Sequence, residues 1–279
     1  MKIKNKKLKI FMSRKLSVAA AVVFIIMLLA VFVGPYLTVH DPTALDARNR
    51  LQGICSTHWL GTDDVGRDVF TRLIHGGQLS IGLAMFGVSI SLVFGIVMGL
   101  ISGYYGGITD TVLSRFIDFL MSIPTFLIAI VSLAILGSGG VNTGIAVGVA
   151  GIPLFMRITR SGVLAVKDLD YVRSSRMMGL SDSRIIMTHI LPGIIPLLVV
   201  TSTLQLGTAL LTASALSFLG IGVNPPTPEW GLMLSAARTH MLAIPLGIIA
   251  PGTAIMLFVM CTSLIGDGLR DALDPKSID

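Results

Sequence analysis

Residues 16–37 read LSVAAAVVFIIMLLAVFVGPYL, and this run of 22 residues contains no charged side chain. A helix needs about 18 or more apolar residues to cross a hydrocarbon core of about 30 Å. The run therefore predicts a transmembrane helix. The apolar region of a signal peptide also follows basic residues, but this run is too long for such a region. No small-residue cleavage pattern follows before Pro35. We expect the helix to be retained.

The same apolar character extends along the whole chain of 279 residues. Hydrophobic residues make up 53% and charged residues 13%, whereas soluble globular proteins carry about 25% charged residues. Six long apolar runs stand out, at 16–37, 79–101, 111–136, 140–156, 194–220 and 241–265. The sequence therefore predicts an all-α, polytopic membrane helix bundle of about six transmembrane helices.

These runs divide the chain into four regions. We expect a basic N-terminal segment over 1–15 and a first span with an outer loop and an amphipathic helix over 16–78. A transmembrane core follows over 79–265 and includes a long polar segment at 157–192. The last region is a C-terminal tail over 266–279.

The basic residues predict the orientation of the bundle. If the N-terminus is cytoplasmic, 16 of the 21 Lys and Arg residues fall on the inner side and five on the outer side. This bias satisfies the positive-inside rule, so we expect both termini and the segment 157–192 to be cytoplasmic. The same orientation rule explains the net charge of +6. Few aromatic residues lie among the basic residues, so we expect no nucleic-acid partner.

Segment 157–192 reads RITRSGVLAVKDLDYVRSSRMMGLSDSRIIMTHILP. Its apolar residues recur near helical spacing; Gly179 can end one helix in the left-handed conformation, and Ser181 can cap the next. The pattern predicts two short helices joined by a sharp turn. Two interpretations remain open from the residues alone: an amphipathic hairpin that covers the bundle, or a docking site for a soluble partner.

The spacing in this segment resembles the EAA loop of ABC importer permeases. In that family a Glu-Ala-Ala triplet is followed by a glycine six residues after its Glu and by a Leu-Pro pair thirteen residues later. Arg173 stands in the position of the Glu and reverses its charge. The resemblance implies that the ATPase-coupling residues are Arg173, Ser174, Ser175, Gly179, Leu180, Ser181, Asp182 and Pro192.

A second segment, 58–83, reads HWLGTDDVGRDVFTRLIHGGQLSIGL. It resembles the LGTDxxGRDxxSRxxxGxRxSL signature of permeases for di- and oligopeptides, nickel and related solutes, with Thr71 for Ser and Gln78 for Arg. The motif residues are Gly61, Thr62, Asp63, Gly66, Arg67 and Asp68. Thr62 and Asp63 can cap a helix that begins near position 64. We expect this helix to lie flat on the outer surface up to about position 75 and to act as a structural collar.

Two further segments agree with this family. Residues 225–231 (PPTPEWG) resemble its PTxEWG element, and residues 266–275 (GDGLRDALDP) resemble its GDxLRDxLDP tail. The resemblance implies the type I ABC importer permease fold in the inner membrane and a pathway for di- or oligopeptides. The implied partners are a second homologous permease, two cytosolic ATP-binding subunits and an extracytoplasmic substrate-binding protein. ATP and Mg²⁺ would be bound by those partner subunits, and no cofactor by this chain.

Other functions fit the sequence less well. There is no GxxxxGK[ST] motif for ATP hydrolysis and no HExxH or GxSxG motif for a membrane-embedded enzyme, so we expect no catalytic residues. No span carries an ionisable residue at its centre, which disfavours an ion-coupled secondary transporter. Nickel, a metal chelate or glutathione remain alternative solutes. The four outer histidines are scattered in spacing, so we expect no metal site.

Overall fold

The computed structural model describes residues 10–273, so the basic residues at positions 2–9 and the last positions of the C-terminal motif lie outside it. The described part consists of helices and loops, with one isolated β-bridge between Thr62 and Asp68. Residues 10–13 are helical, and short 3-10 helices occur in the loops. The α-helices that follow residue 14 are, in chain order, α1 (Lys15–Val33), α2 (Val69–Tyr105), α3 (Gly107–Met121), α4 (Thr125–Leu136), α5 (Gly140–Val166), α6 (Asp170–Met177), α7 (Asp182–Ile185), α8 (Leu191–Phe218), α9 (Trp230–Ala237) and α10 (Leu246–Leu273). A π-helical turn, Ile186–Ile190, joins α7 to α8 without a break.

The parallel pair of α2 and α5 forms the centre of the bundle. Small residues let the two backbones approach closely: a Cβ atom added at Gly99 would lie only 2.5 Å from the Cβ atom of Thr159. The hydroxyl of Ser91 in α2 donates a hydrogen bond across this interface to the carbonyl of Gly148, at 2.7 Å. We call the end where α6 and α7 lie the hairpin end, and the end where residues 34–68 lie the loop end.

The predicted third span, 111–136, is not one straight helix. It is broken into α3 and α4, which are bent by 94° relative to each other. The break falls at 122–124 because Pro124 has no N–H to donate and disfavours helical geometry in the residue before it. An apolar run therefore indicated the correct length but not the direction of the chain within it.

The bent pair nevertheless completes one crossing of the bundle. Helix α2 ends at the hairpin end, where its Gly103 lies against Val163 of α5, and α5 begins at the loop end, where Gly140 lies beside Leu79. The chain between them must therefore travel from the hairpin end to the loop end. With this pair counted as one span, the described residues contain six crossings, as predicted.

The first and last crossings meet at the hairpin end. The guanidinium of Arg14 lies 2.6 Å from the carboxylate of Asp271, and Gly268 of α10 packs against Ser17 of α1. Helix α10 starts after Pro245, which suits the first turn of a helix, and continues through Leu273. The predicted boundary between span and tail at 265/266 therefore lies inside one continuous helix.

Candidate functional site

The polar segment folds into a helical hairpin, as predicted. Helix α6 ends at Met177, Gly179 adopts φ +77°, and α7 begins after Ser181. The predicted two-helix hairpin and its turn are thus present. One detail differs: the second helix is not short, because α7 continues through the π turn into α8.

The position of Pro192 explains the π turn that precedes it. Proline lacks the N–H that would bond to the carbonyl four residues earlier, and its ring crowds that carbonyl. The wider backbone turn over Ile186–Ile190 lies next to Pro192, where the regular bonding pattern has to change. The helix continues into the bundle despite the proline.

The underside of the hairpin is fixed to the bundle by apolar packing. Val172 of α6 and Ile185 of α7 are fully buried, as is Ile190 in the π turn. They share one hydrophobic cluster with Tyr104 of α2 and Val163 of α5. Burying such side chains contributes about 1.5–3 kcal/mol each, so the hairpin is held firmly on the ends of α2 and α5.

Polar contacts lock the same junction. The hydroxyl of Tyr104 donates to the carboxylate of Asp182 at 2.6 Å, and the guanidinium of Arg176 lies 5.5 Å from the centroid of the Tyr104 ring. The ammonium of Lys167 donates to the carbonyl of Gly103 at 2.9 Å. Tyr104 was not among the predicted site residues, because a contact between positions 78 residues apart leaves no local signal.

The tip of the hairpin faces away from the bundle. Met177 and Met178 are 81% and 72% exposed. The predicted coupling residues that share this exposure are Arg173, Ser174, Gly179, Ser181, Asp182 and Pro192. Two others are turned inward: Leu180 is half-buried, and Ser175 is buried with its hydroxyl donating to the carbonyl of Tyr171 at 2.8 Å.

Arg173 is among the exposed residues. Its guanidinium lies 3.8 Å from the carboxylate of Asp168, and both side chains are more than 60% exposed. An ion pair with that exposure contributes little to stability. Within the described residues, the charge of Arg173 is therefore presented to the surroundings of the hairpin.

The second motif lies at the loop end, and its predicted helix is wrong. Residues 64–68 are not helical; α2 begins at Val69 and is capped by Asp68, whose carboxylate accepts from the N–H of Thr71 at 2.7 Å. Gly66 adopts φ +85°, which a helix does not allow. The expected flat helix from 64 to 75 is instead a loop followed by the first turns of α2.

The motif residues form a buried polar network. The carboxylate of Asp63 accepts from the N–H groups of Val65 and Arg67, and from the guanidinium of Arg67 at 2.6 Å. The hydroxyl of Thr62 bonds to the carbonyl of Asn49 and is fully buried. The left-handed Gly61 donates its N–H to the carbonyl of His58. These contacts agree with a structural role.

The last loop is attached to the same end by Glu229. Its carboxylate is fully buried and accepts hydrogen bonds from the N–H groups of Gly231 and Leu232 and from the hydroxyls of Ser80 and Ser214. Trp230 is 1% exposed, so it does not serve as an interfacial anchor, the role that a tryptophan at the end of a loop would suggest. Glu229 thereby joins α9 to α2 and α8.

A possible metal-binding group also lies at the loop end. Ligand atoms of His40, His58 and Asp68 lie within 4.8 Å of one another. Each of them already takes part in hydrogen bonds: His58 Nδ1 with Asp68 at 2.9 Å, His40 Nε2 with the carbonyl of Thr57 at 2.9 Å, and Asp68 with the cap of α2. The arrangement is therefore explained as a hydrogen-bond network around the start of α2.

Comparison with known proteins agrees with this architecture. Residues 95–279 match the family described as the binding-protein-dependent transport system inner membrane component, and residues 8–53 match the N-terminal transmembrane domain of oligopeptide transport permease C. A methionine ABC transporter, MetNI, solved in inward facing conformations, shares the fold: the TM-score is 0.59 at 18% identity, over 73% of this chain and 96% of that chain.

Two curated relatives align over nearly the whole chain. The dipeptide transport system permease protein DppC of Alkalihalophilus pseudofirmus is 42% identical over 262 residues, or 94% of this chain and 86% of that protein. The glutathione transport system permease protein GsiD of Pectobacterium atrosepticum is 41% identical over 267 residues, or 95% and 89%. This chain therefore belongs to the binding-protein-dependent inner membrane components, the multi-pass permeases of ABC importers.

Proposed function

We propose that this permease forms half of the pathway for di- or oligopeptides in an importer that a second, homologous permease completes. Two cytosolic subunits bind ATP and Mg²⁺ and hydrolyse the nucleotide, and an extracytoplasmic binding protein delivers the peptide. The relatives named for dipeptide and glutathione transport support a short peptide as solute, since glutathione is itself a tripeptide.

The observation that carries the proposal is the hairpin of α6 and α7. A helical hairpin that transmits motion must be rigid where it joins the bundle and accessible where the ATPase contacts it. The buried Val172 and Ile185 provide the first property, and the exposed Met177 and Met178 provide the second. Flexible, polarisable methionines suit a docking surface for another protein.

A test of this role uses the whole importer complex. We expect permease with Met177→Asp and Met178→Asp to lose most co-purifying ATPase and peptide uptake, because two charges would be placed in an apolar contact. Leu242→Asp is the matched control, since Leu242 is 94% exposed at the opposite end of the bundle. Normal ATPase binding by the hairpin variant would contradict the proposal, as would equal damage by the control.

We further propose that the hairpin end faces the cytoplasm. The positive-inside rule supports this orientation, with 16 of the 21 basic residues on the predicted inner side. Cys55 lies in the long loop at the other end, and a hydrogen bond with the Thr57 hydroxyl lowers the pKa of its thiol, which favours the reactive thiolate. Cys261 is buried in α10.

An impermeant maleimide tests the orientation. Applied to cells whose outer face is accessible, it should label Cys55 and spare both Cys261 and a cysteine introduced at Lys167. Labelling of Lys167→Cys from outside would overturn the orientation while leaving the six crossings intact.

A further inference from the structure

Helix α8 carries a polar stripe through the middle of the bundle. Thr201, Gln205, Thr208 and Thr212 are spaced four, three and four residues apart, which places them on one face of the helix. Gln205 is the fifteenth of the 28 residues of α8 and therefore lies near mid-depth in the membrane. Because the chain is a membrane protein, a polar stripe at this depth requires an explanation.

Hydrogen bonding distinguishes two groups of polar side chains on this helix. The hydroxyls of Thr201, Thr203 and Thr212 donate to the carbonyl one turn earlier, at 2.8–2.9 Å. Such bonds make a hydroxyl tolerable in an apolar environment. Neither the carboxamide of Gln205 nor the hydroxyl of Thr208 has a hydrogen-bond partner within residues 10–273.

The two unpartnered side chains line a small cavity that opens on the surface of the chain. Its volume is about 20 Å³, enough for a water molecule. Helices α2, α4, α5 and α8 meet there, and the polar residues on its wall are Ser91, Thr125, Gln205, Thr208 and Thr212. Thr125 and Thr208 are exposed, so the polar surface continues outward from the cavity.

This face of the chain is poorly suited to contact lipid. A carboxamide offers two donor hydrogens and an acceptor oxygen, and an unsatisfied polar group is strongly disfavoured in a hydrocarbon environment. Polar side chains inside membrane proteins face a neighbouring helix, the bundle interior or a water-filled cavity, where their hydrogen bonds can be satisfied. The cavity side of α8 therefore faces water or another polypeptide.

We infer that the polar surface around Gln205 forms part of the wall of the solute pathway, and that the Gln205 carboxamide hydrogen-bonds the peptide groups of the passing solute. This inference rests on the proposed function and adds a contact residue to it. A carboxamide can accept from a peptide N–H and donate to a peptide C=O. Such a contact binds the peptide backbone, which all short peptides share, and does not depend on their side chains.

The absence of charge at this contact fits transport. A carboxylate or an ammonium at mid-depth would bind one peptide terminus strongly and slow its release, whereas conduction requires binding that is weak enough to leave. Neutral hydrogen bonds are about half as strong as those to charged groups. The surface around Gln205 therefore suits a contact that guides the solute without retaining it.

The opposing explanation is a dry interface in which the second permease covers Gln205. Cysteine accessibility separates the two. The experiment uses the assembled importer with Cys55→Ser and Cys261→Ser as background. The cysteine of Gln205→Cys should react with a small hydrophilic methanethiosulfonate, and peptide-loaded binding protein should slow that reaction. Thr203→Cys is the control, because it lies about 200° around the same helix from Gln205. A cysteine at 205 that does not react, or one that reacts no faster than the cysteine at 203, would overturn the inference.

Transport measurements add a second readout. We expect Gln205→Leu to lower peptide uptake on the order of tenfold, the effect of losing one hydrogen bond, with normal assembly and normal basal ATP hydrolysis. Thr203→Val should transport like the unmodified permease. Full uptake by Gln205→Leu would overturn the assigned contact. If the unmodified complex imports no peptide, the proposed function fails, and the cysteine reaction still decides whether the surface around Gln205 is wet.

Discussion

Gly179 provides the sharpest test of the hairpin as a mechanical joint. Its φ of +77° lies in the left-handed region, and a Cβ atom added there would meet no atom of the described chain within 4 Å. A substitution at this position therefore acts within the permease only through the backbone. An L-residue costs about 1–2 kcal/mol in the left-handed conformation, and a β-branched residue lies at the upper end.

The buried side chains of Val172, Ile185 and Ile190 keep the hairpin packed on the bundle, so this strain acts on the turn itself. A difference of about 1–2 kcal/mol changes an equilibrium by a factor of about 5–30. For Gly179→Val we expect the turn to relax to another geometry, which ATPase docking must reverse, so that ATPase co-purification and peptide-stimulated ATP hydrolysis fall by up to about that factor. Insertion and thermal stability of the permease should stay normal, since no membrane span is altered.

A series of substitutions separates backbone strain from bulk. Asparagine tolerates the left-handed conformation better than other non-glycine residues, so Gly179→Asn should remain close to the unmodified permease and Gly179→Ala should be intermediate. Normal transport by Gly179→Val with its ATPase bound would refute the coupling role. Equal damage by Asn and Val would refute the backbone argument and indicate that the ATPase approaches this turn too closely for any side chain.

Three other changes test the remaining sites. Arg67→Ala should lower the melting temperature of the detergent-purified permease by removing about 1–3 kcal/mol of buried hydrogen bonding to Asp63, with unchanged peptide selectivity; a shift in selectivity at normal stability would contradict it. Glu229→Ala should reduce membrane abundance more than Glu229→Gln, because alanine leaves every donor around the buried carboxylate unsatisfied, and equal abundance would count against this reasoning. Arg173→Glu should leave stability unchanged and weaken ATPase association most at low salt; identical binding at all salt concentrations would mean that Arg173 faces solvent.

The crossings and the hairpin could be predicted because their signals are local. A run of apolar residues has the length of a span wherever its neighbours lie, and Gly179 and Ser181 mark a helix end and a helix start by their own backbone chemistry. The bend at Pro124 also has a local cause in the sequence, but apolar residues lie on both sides of it. Hydrophobicity alone therefore predicts one continuous span over 111–136, although the proline gives a sufficient physical reason for a break.

The helix at the loop end was mispredicted because two candidate caps compete. Thr62 and Asp63 can both cap a helix, and apolar residues at helical spacing follow them. Asp68 is the residue that caps the helix, because the carboxylate of Asp63 already accepts hydrogen bonds from Arg67 and from loop N–H groups. The left-handed Gly66 also interrupts any helix that begins earlier. Only the folded loop shows which side chains are already occupied.

Contacts between positions far apart in the sequence hold the helices together at the two ends of the bundle. These contacts leave no local signal from which they could be predicted. Tyr104 with Asp182 and Ser80 with Glu229 join positions 78 and 149 residues apart. A serine or tyrosine at the end of an apolar run has several ordinary roles. The partner that selects one of them comes from the packing of whole helices, so these residues could be identified only from the structure.

The continuity of the helical segment Asp182–Phe218 connects the hairpin to the polar surface of α8. No loop interrupts the chain between Asp182 and Gln205, but the helix is irregular at the π turn and at Pro196, which removes one backbone hydrogen bond inside α8. A displacement of the hairpin tip can be carried along this continuous helix toward mid-depth, with the π turn and Pro196 as the places where the backbone can bend. On this argument, stiffening the π turn should change how strongly ATP hydrolysis and peptide uptake are linked, while each end keeps its own contacts.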